Sequence, residues 1–230
     1  MNNDSITDIF FDLDHTLWDF DKNSFLALKR VFVTHDVELD ISEFISVYEP
    51  INLQYWKRFR EERVSKQDLR RGRLIDAFGM FNMSFNIDKI DAMAVSYIDE
   101  LPIDNHLFDG TIHILDYLSE KKYTLHIITN GFQEVQLLKL RNSGIYKYFK
   151  TVTSSEEVGV KKPNPLVFET AMAKAKVNKE RSIMIGDSFE ADILGAQAAG
   201  MKTLFYNYRK ETIPANYHII EDLLEIKKHL

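Results

Sequence analysis

Short runs of almost unbroken hydrophobicity, rich in β-branched residues, constrain this chain more than any other feature. They are Ile6 to Leu13, Thr124 to Thr129, Thr151 to Thr153, Ser182 to Ile185 and Thr203 to Tyr206. A strand with one wet face alternates apolar and polar residues. A strand buried on both faces does not, because each side meets a packed layer. Between the later runs, apolar residues recur at helical spacing: Phe108, Ile112, Leu115 and Leu118, then Val135, Leu138 and Leu140 ahead of a stop at Gly144. Pro165 to Lys176 and Ser188 to Ala199 read as two more helices. Strands alternating with helices predict an α/β fold, a Rossmann-like parallel sheet covered by helices on both faces.

The stretch from Asp21 to Leu101 breaks that alternation. It has no convincing strand run and carries long helical periodicities: Phe25, Leu28, Val31 and Phe32, then Phe44, Val47, Tyr48, Ile51 and Tyr55. Asp40 with Glu43 resembles a capping box, and Pro50 is expected to kink or divide the helix that follows. Ser65 with Asp68 is placed to cap a helix running to Phe78; a last helix spans Ile87 to Glu100, ended by Pro102. The expected organisation is a core domain of residues 1–18 and 102–230, with a helical domain, 19–101, inserted after the first strand.

Composition narrows the function classes. With 45% hydrophobic and 28% charged residues, the 230-residue chain has the balance of a folded domain rather than a disordered one. A net charge of −6 lacks the footprint of a dedicated nucleic-acid binder, although local donors can still hold a phosphate. The absence of cysteine excludes disulfides, thiolate metal sites and cysteine nucleophiles, and suits a reducing cytosol. Met1 to Ser5 lacks the basic start and apolar stretch of a signal peptide. No apolar run nears the ~18 residues needed to span a bilayer. The expected setting is cytoplasmic, without membrane or nucleic-acid partners; the oligomeric state does not follow from the sequence.

The apolar runs end in polar clusters. Ile9-Phe10-Phe11-Asp12-Leu13-Asp14-His15-Thr16-Leu17 hands a strand directly to two acids and a hydroxyl. Residues two apart on a strand share a face, so Asp12 and Asp14 can converge at its end, where open parallel sheets carry their ligand crevice. Two close carboxylates repel, and a divalent cation such as Mg²⁺, which prefers oxygen ligands, relieves that repulsion. Thr129-Asn130-Gly131 ends the second run with a hydroxyl, an amide and a glycine ahead of a helix N-terminus, a setting that suits a phosphate and equally an ordinary N-cap. Lys162, before the proline-led helix at Pro165, offers a point charge for a phosphate or a neighbour for a nucleophile; it also reads as half of a solvated pair with Lys161. Gly186-Asp187 ends a further run; Asp187 can complete a metal shell with Asp12, with Asp192 supporting it from behind, or can simply cap the next helix. Each cluster alone is weak. All of them fall at the same ends of expected parallel strands, which coincidence explains poorly.

With Asp12-Leu13-Asp14-His15-Thr16, Thr129, Lys162 and Gly186-Asp187 with Asp192 in order, the chain resembles the haloacid dehalogenase-like hydrolase superfamily. The helical insertion is similar to that family's small cap. Thr129-Asn130-Gly131-Phe132, Ser155 to Val160 and the Trp18 to Asp21 stretch look like its house-cleaning pyrimidine 5'-nucleotidases. The resemblance implies that Asp12 attacks phosphorus and forms an aspartyl-phosphate, and that Asp14 protonates the leaving alkoxide and then activates water. It implies Mg²⁺ held by Asp12, the backbone carbonyl of Asp14, and Asp187. Thr129 and Lys162 are implied to bind phosphoryl oxygens, with Asn130 and Gly131 assisting. His15 is treated as a backbone spacer.

The cap is expected to close over the crevice and contact the leaving group. Trp18, Phe20 and Trp56 are candidates for packing on a base, or else core aromatics; Arg70, Arg71 and Arg73 around Gly72 read as a basic turn that is more simply a solvated helix face. The expected activity is hydrolysis of a small phosphomonoester, foremost a pyrimidine nucleoside monophosphate. A sugar-phosphate phosphatase or phosphomutase is the alternative on the same scaffold. A dehalogenase would not need the acid Asp14 supplies, and a phosphate-responsive binding module would not need an intact nucleophile, acid and lysine.

Overall fold

The computed structural model describes residues 6–230. The amino-terminal pentapeptide, on which the signal-peptide reading rests, lies outside the described residues. A six-stranded, wholly parallel sheet runs in the order β3-β2-β1-β4-β5-β6. Its strands are β1 (Asp8–Phe11), β2 (Thr124–Thr129), β3 (Phe149–Ser154), β4 (Ser182–Gly186), β5 (Lys202–Tyr206) and β6 (Ile219–Ile220). This is the doubly wound Rossmann-like order, in which the chain moves outward from β1 on one side and then returns to its other side. The reversal opens a crevice at the carboxyl ends of β1 and β4.

The unbroken hydrophobicity has the expected cause. On one sheet face Phe10, Ile128 and Met184 pack on Val167, Phe168, Ala171 and Met172 of α8 (Pro165–Ala175). On the other face Ile9, Phe11, Ile127, Ile183 and Ile185 are equally buried. Fully burying a side chain such as Phe10 is worth roughly 1.5–3 kcal/mol. Asn164 starts α8, its side-chain oxygen accepting the Leu166 N–H at 3.0 Å, with Pro165 in the first turn where a missing N–H costs nothing. α5 (Thr111–Glu120), α6 (Gln133–Asn142) and the short α7 (Ser155–Val158) complete the main crossovers. The two-residue β6 has no counterpart in the hydrophobic pattern. The helix expected over Ser188 to Ala199 is instead a π-helical segment, Phe189–Leu194, leading into the short α9 (Gly195–Ala198).

The chain divides into a core unit, Met1–Phe20 with Asn105–Leu230, and a helical unit, Asp21–Asp104. These divisions lie a few residues beyond the expected 18/19 and 101/102, for a visible reason. Asp19 N–H donates to the His106 carbonyl and Phe108 N–H to the Leu17 carbonyl, both at 3.0 Å, which ties residues 17–19 into the core. Arg30 pairs with Glu100 and Asp104, which keeps 100–104 with the helices.

The helical unit holds α1 (Phe20–Thr34), α2 (Ile41–Arg60), α3 (Lys66–Gly79) and α4 (Ile87–Glu100). Phe44 meets Phe32 edge-on and Phe78 at a tilt, with ring centroids 4.9 and 4.8 Å away. Pro50 does not divide α2: the exposed ring sits on the solvent side while Phe44, Tyr48, Asn52 and Phe59 anchor the other. Asp40 caps α2 through one oxygen, and Ser65 with Asp68 forms the full reciprocal box on α3. The arginines around Gly72 form no turn. Gly72 is helical, and Tyr55 occupies the space a Cβ would need, 2.4 Å from its ring. Arg73 is buried, donating to Asn52 Oδ1 at 2.9 Å with its guanidinium 4.8 Å from the Tyr97 ring, and Arg71 pairs with Asp91. Among the described residues, no helix is long and apolar enough to cross a membrane.

Candidate active site

Asp12 follows the last residue of β1, its N–H bonded to the Ile185 carbonyl of β4 at 3.0 Å, so the sheet itself delivers this side chain to the crevice. Asp187 follows β4 directly. Asp192 returns from the π-helical segment. One ligand oxygen from each of the three lies within 4.8 Å of the others. Gly186 makes this possible: a Cβ there would stand 2.4 Å from the Asp192 carboxylate, whose Oδ2 instead accepts the Ser188 N–H at 3.0 Å.

Lys162 enters the same cluster from the loop before α8. It is 2% exposed, donates to Asp12 Oδ1 at 2.7 Å and to the Ile128 carbonyl at 2.8 Å, and pairs with Asp192 Oδ1 at 2.6 Å. The solvated-pair reading of this lysine therefore fails. Three gathered carboxylates, two of them paired with this ammonium, leave an excess of negative charge. Burial first, with Asp192 and Asp14 adding to it against the opposing pull of Lys162, pushes the Asp12 carboxyl up to about 7. Burial, then Asp12 and Asp192, hold Asp187 well above the carboxylate range, against Arg209 and the Thr16 hydroxyl that donates to it at 3.1 Å. An all-oxygen, over-charged donor set of this kind fits a hard divalent cation. Asp192, expected behind the site, is one of the three gathered carboxylates.

The Asp14 carboxylate goes elsewhere. Its Oδ1 takes the Lys139 ammonium at 2.6 Å and its Oδ2 the Gln136 amide at 2.9 Å. Neither partner was singled out in the sequence. Both lie on α6, where Val135, Gln136, Lys139 and Leu140 are the buried positions. The available signal was a polar pair occupying helical positions that face a core. The Lys139 ammonium also sits 4.2 Å from the Trp18 ring centroid, and Trp18 is fully buried. That indole is a core aromatic of the pocket wall rather than a surface for a base. Phe20, 5.2 Å from the same ammonium, is nearly as buried, and Trp56 packs edge-on against Phe59.

Thr129, Asn130 and Gly131 end β2 beside the cluster. Thr129 is buried and its Oγ1 accepts the Gly131 N–H at 3.0 Å and the Gln136 amide at 2.7 Å. Asn130 spends both ends of its amide on the Lys162 backbone, accepting its N–H at 2.8 Å and donating to its carbonyl at 3.0 Å. Its side chain thereby aligns the lysine. His15 is more than a spacer. It turns the chain at φ 63°, and its Nδ1 accepts the Tyr208 hydroxyl at 2.9 Å. Burial, with Arg209 adding to it, lowers its pKa to about 3, so the ring is neutral near pH 7.

The fold and the pocket together define an α/β enzyme of the doubly wound type, with an acidic, cation-compatible crevice around one buried lysine. Residues 9–206 match the haloacid dehalogenase-like hydrolase family, and the chain belongs to it. It is 35% identical over 200 residues to the pyrimidine 5'-nucleotidase PynA of Streptococcus pneumoniae, covering 86% of this chain and 83% of that one. It is 32% identical over 229 residues to the pyrimidine 5'-nucleotidase YjjG of Escherichia coli, covering 94% and 96%. Among solved structures it resembles the putative HAD-hydrolase YfnB from Bacillus subtilis bound to magnesium, with a TM-score of 0.88, 27% identity and 98% of each chain covered.

Proposed function

We propose that this hydrolase is a Mg²⁺-dependent phosphomonoesterase that works through an aspartyl-phosphate on Asp12, with pyrimidine nucleoside monophosphates as its main substrates. The observation that carries the chemistry is the buried Asp12 carboxylate, gripped by Lys162 and facing Asp187 across the crevice. The names of the two nucleotidase relatives support the substrate class.

An Asp12 oxygen attacks phosphorus and the bond from phosphorus to the ester oxygen breaks. The leaving alkoxide takes the proton of the Asp14 carboxyl. Asp14, now a carboxylate, accepts a proton from water as the water oxygen attacks the phosphoenzyme. The bond from phosphorus to Asp12 then breaks, releasing inorganic phosphate and restoring both acids. Lys162 and the Thr129 hydroxyl neutralise charge on the transferring oxygens, and positioning of this kind is most of what phosphoryl transfer asks of a protein. Asp12, Asp187 and the Asp14 backbone carbonyl would hold Mg²⁺, which when bound offsets the carboxylate repulsion and the charge of the phosphoryl group. The magnesium-bound relative supports that choice of cation.

The test is release of inorganic phosphate from a panel of nucleoside monophosphates and sugar phosphates, with Mg²⁺ and with chelator. Turnover led by UMP, CMP and TMP and abolished by chelator is expected. Turnover confined to sugar phosphates would overturn the substrate class, and no phosphate from any ester would overturn the reaction.

A further inference from the structure

A single amide joins two parts of the pocket that arrive on different strands. Gln136, in the first turn of α6, is 1% exposed. Its Nε2 donates to Asp14 Oδ2 at 2.9 Å and to Thr129 Oγ1 at 2.7 Å, which uses both amide hydrogens. The orientation of the amide is fixed by charge, because the reversed one would press Oε1 against the Asp14 carboxylate.

The consequence for Thr129 is chemical. A hydroxyl has two acceptor positions and one hydrogen. Both acceptor positions of Thr129 are filled, by Gln136 and by the Gly131 N–H. Its hydrogen is left to be given away, so Thr129 meets an anion as a donor only. Gly131 serves the same device sterically: a Cβ at that position would stand 2.4 Å from the Gln136 amide. Lys139, one turn further along α6, holds the other Asp14 oxygen at 2.6 Å and stops the carboxylate from rotating.

We propose that Gln136 is a positioning residue that sets the leaving-group acid Asp14 and the phosphate-facing hydroxyl of Thr129 in one geometry, and that Gly131 is glycine to make room for it. The proposal rests on the phosphatase reading above. Gln136 neither attacks nor exchanges a proton; it acts through the two residues it holds.

Leaving-group chemistry separates this role from a merely structural one. p-Nitrophenolate departs without protonation, whereas the alkoxide of a nucleoside monophosphate needs the acid. Gln136→Met keeps length and burial and removes both N–H groups. If misplacing Asp14 forfeits much of the ~10²–10⁴-fold worth of a general acid, kcat/KM on UMP falls about 10–100 times further than on p-nitrophenyl phosphate. Inhibition by inorganic phosphate weakens several-fold, roughly the worth of one polarised hydrogen bond. Gln136→Glu, nearly isosteric, is made in parallel so that a folding defect in the Met variant does not decide the matter, and the same selective loss is expected. In an Asp14→Asn background the substrate-selective part of the loss disappears. Gly131→Ala reproduces the selective loss, but adds little to Gln136→Ala, where no amide remains to collide with. Equal losses on the two esters, in folded variants, would overturn the proposal. Wild-type protein releasing phosphate from neither ester would overturn the underlying phosphatase reading instead, and that is seen before any variant is made.

Discussion

The two ends of β1 carry the same residue type to opposite effect. Asp8 opens the strand and Asp12 follows it, and both are largely buried. At the amino end, Asp8 Oδ1 meets His126 Nε2 at 3.0 Å, Oδ2 accepts the Thr7 hydroxyl at 2.6 Å, and the far nitrogen of His126 meets the Thr151 hydroxyl at 2.8 Å. One acid is matched to one set of donors. At the carboxyl end, Asp12, Asp187 and Asp192 crowd together, and the Lys162 ammonium pairs with Asp12 and Asp192. A buried carboxylate is thus no sign of a site by itself. The sign is a surplus of carboxylates over cations at the edge where the sheet topology opens a crevice.

The largest effects are expected at the surplus end. Asp12→Asn should lower phosphate release by about 10⁴-fold or more, as removal of a nucleophile does elsewhere. It should leave the melting temperature unchanged or raised, because it removes one of several repelling charges. Asp8→Asn should leave kcat within about two-fold, since its neighbours never meet substrate. Comparable losses in the two variants would erase the distinction between the ends. Lys162→Met comes next. Removing its ammonium strands the buried Asp12 and Asp192 carboxylates and should cost about 3–5 kcal/mol in urea unfolding. Lys139→Met should cost less, because the Asp14 side chain it leaves behind is 20% exposed and can take up water.

The surplus also fixes a pH dependence. Asp12 is pushed up to about 7 by burial and its acidic neighbours. A carboxyl with a raised folded pKa binds more protons in the native state than in the unfolded chain. Without a divalent cation, the stability of wild type relative to Asp12→Asn therefore falls as pH rises from about 4 to about 7. Added Mg²⁺ should flatten that slope and raise the melting temperature, by the equivalent of about 2.7 kcal/mol at a hundredfold excess over Kd. Asp187→Asn should abolish the magnesium-dependent shift. A metal-free stability difference between wild type and Asp12→Asn that stays constant over that pH range would contradict the crowding.

The same contrast explains what the sequence made legible. Asp12 and Asp187 could be read because each follows an apolar run, and strand ends in a parallel sheet point to one edge; Lys162, in the loop before α8, could be read only from its order among the other clusters. Gln136 and Lys139 could not, because nothing local says that the buried face of their helix opposes Asp14. The tie between the Asn130 side chain and the Lys162 backbone could not be read either, because it is set by a loop whose path no periodicity encodes. The continuity of α2 through Pro50 depended on whether that ring would face solvent, which is decided by packing at Phe44, Tyr48 and Asn52. Asp8 was passed over within an apolar run; its match with His126 exists only once β1 and β2 lie side by side.

That match supplies the smallest expected effect. Burial lowers the His126 pKa, and the Asp8 carboxylate opposes the shift only in part. The ring, stacked 4.6 Å from Phe10, is therefore neutral in the folded protein, accepting from the Thr151 hydroxyl and donating to Asp8. A histidine whose folded pKa is depressed binds fewer protons in the native state. Its contribution to stability is fully present above the unfolded value of about 6.5 and is lost as pH falls below it, by at most ~1.4 kcal/mol per pH unit. His126→Gln should cost about 1–2 kcal/mol at pH 7.5 through a lost hydrogen bond and looser packing. The gap between variant and wild type should narrow at pH 5.5, because only the wild type carries the acid penalty. Urea unfolding at the two pH values measures this. An equal gap at both would mean that the fold does not shift the histidine, and a gap that widens at pH 5.5 would mean that the amino end of β1 holds an ion pair rather than a matched neutral network.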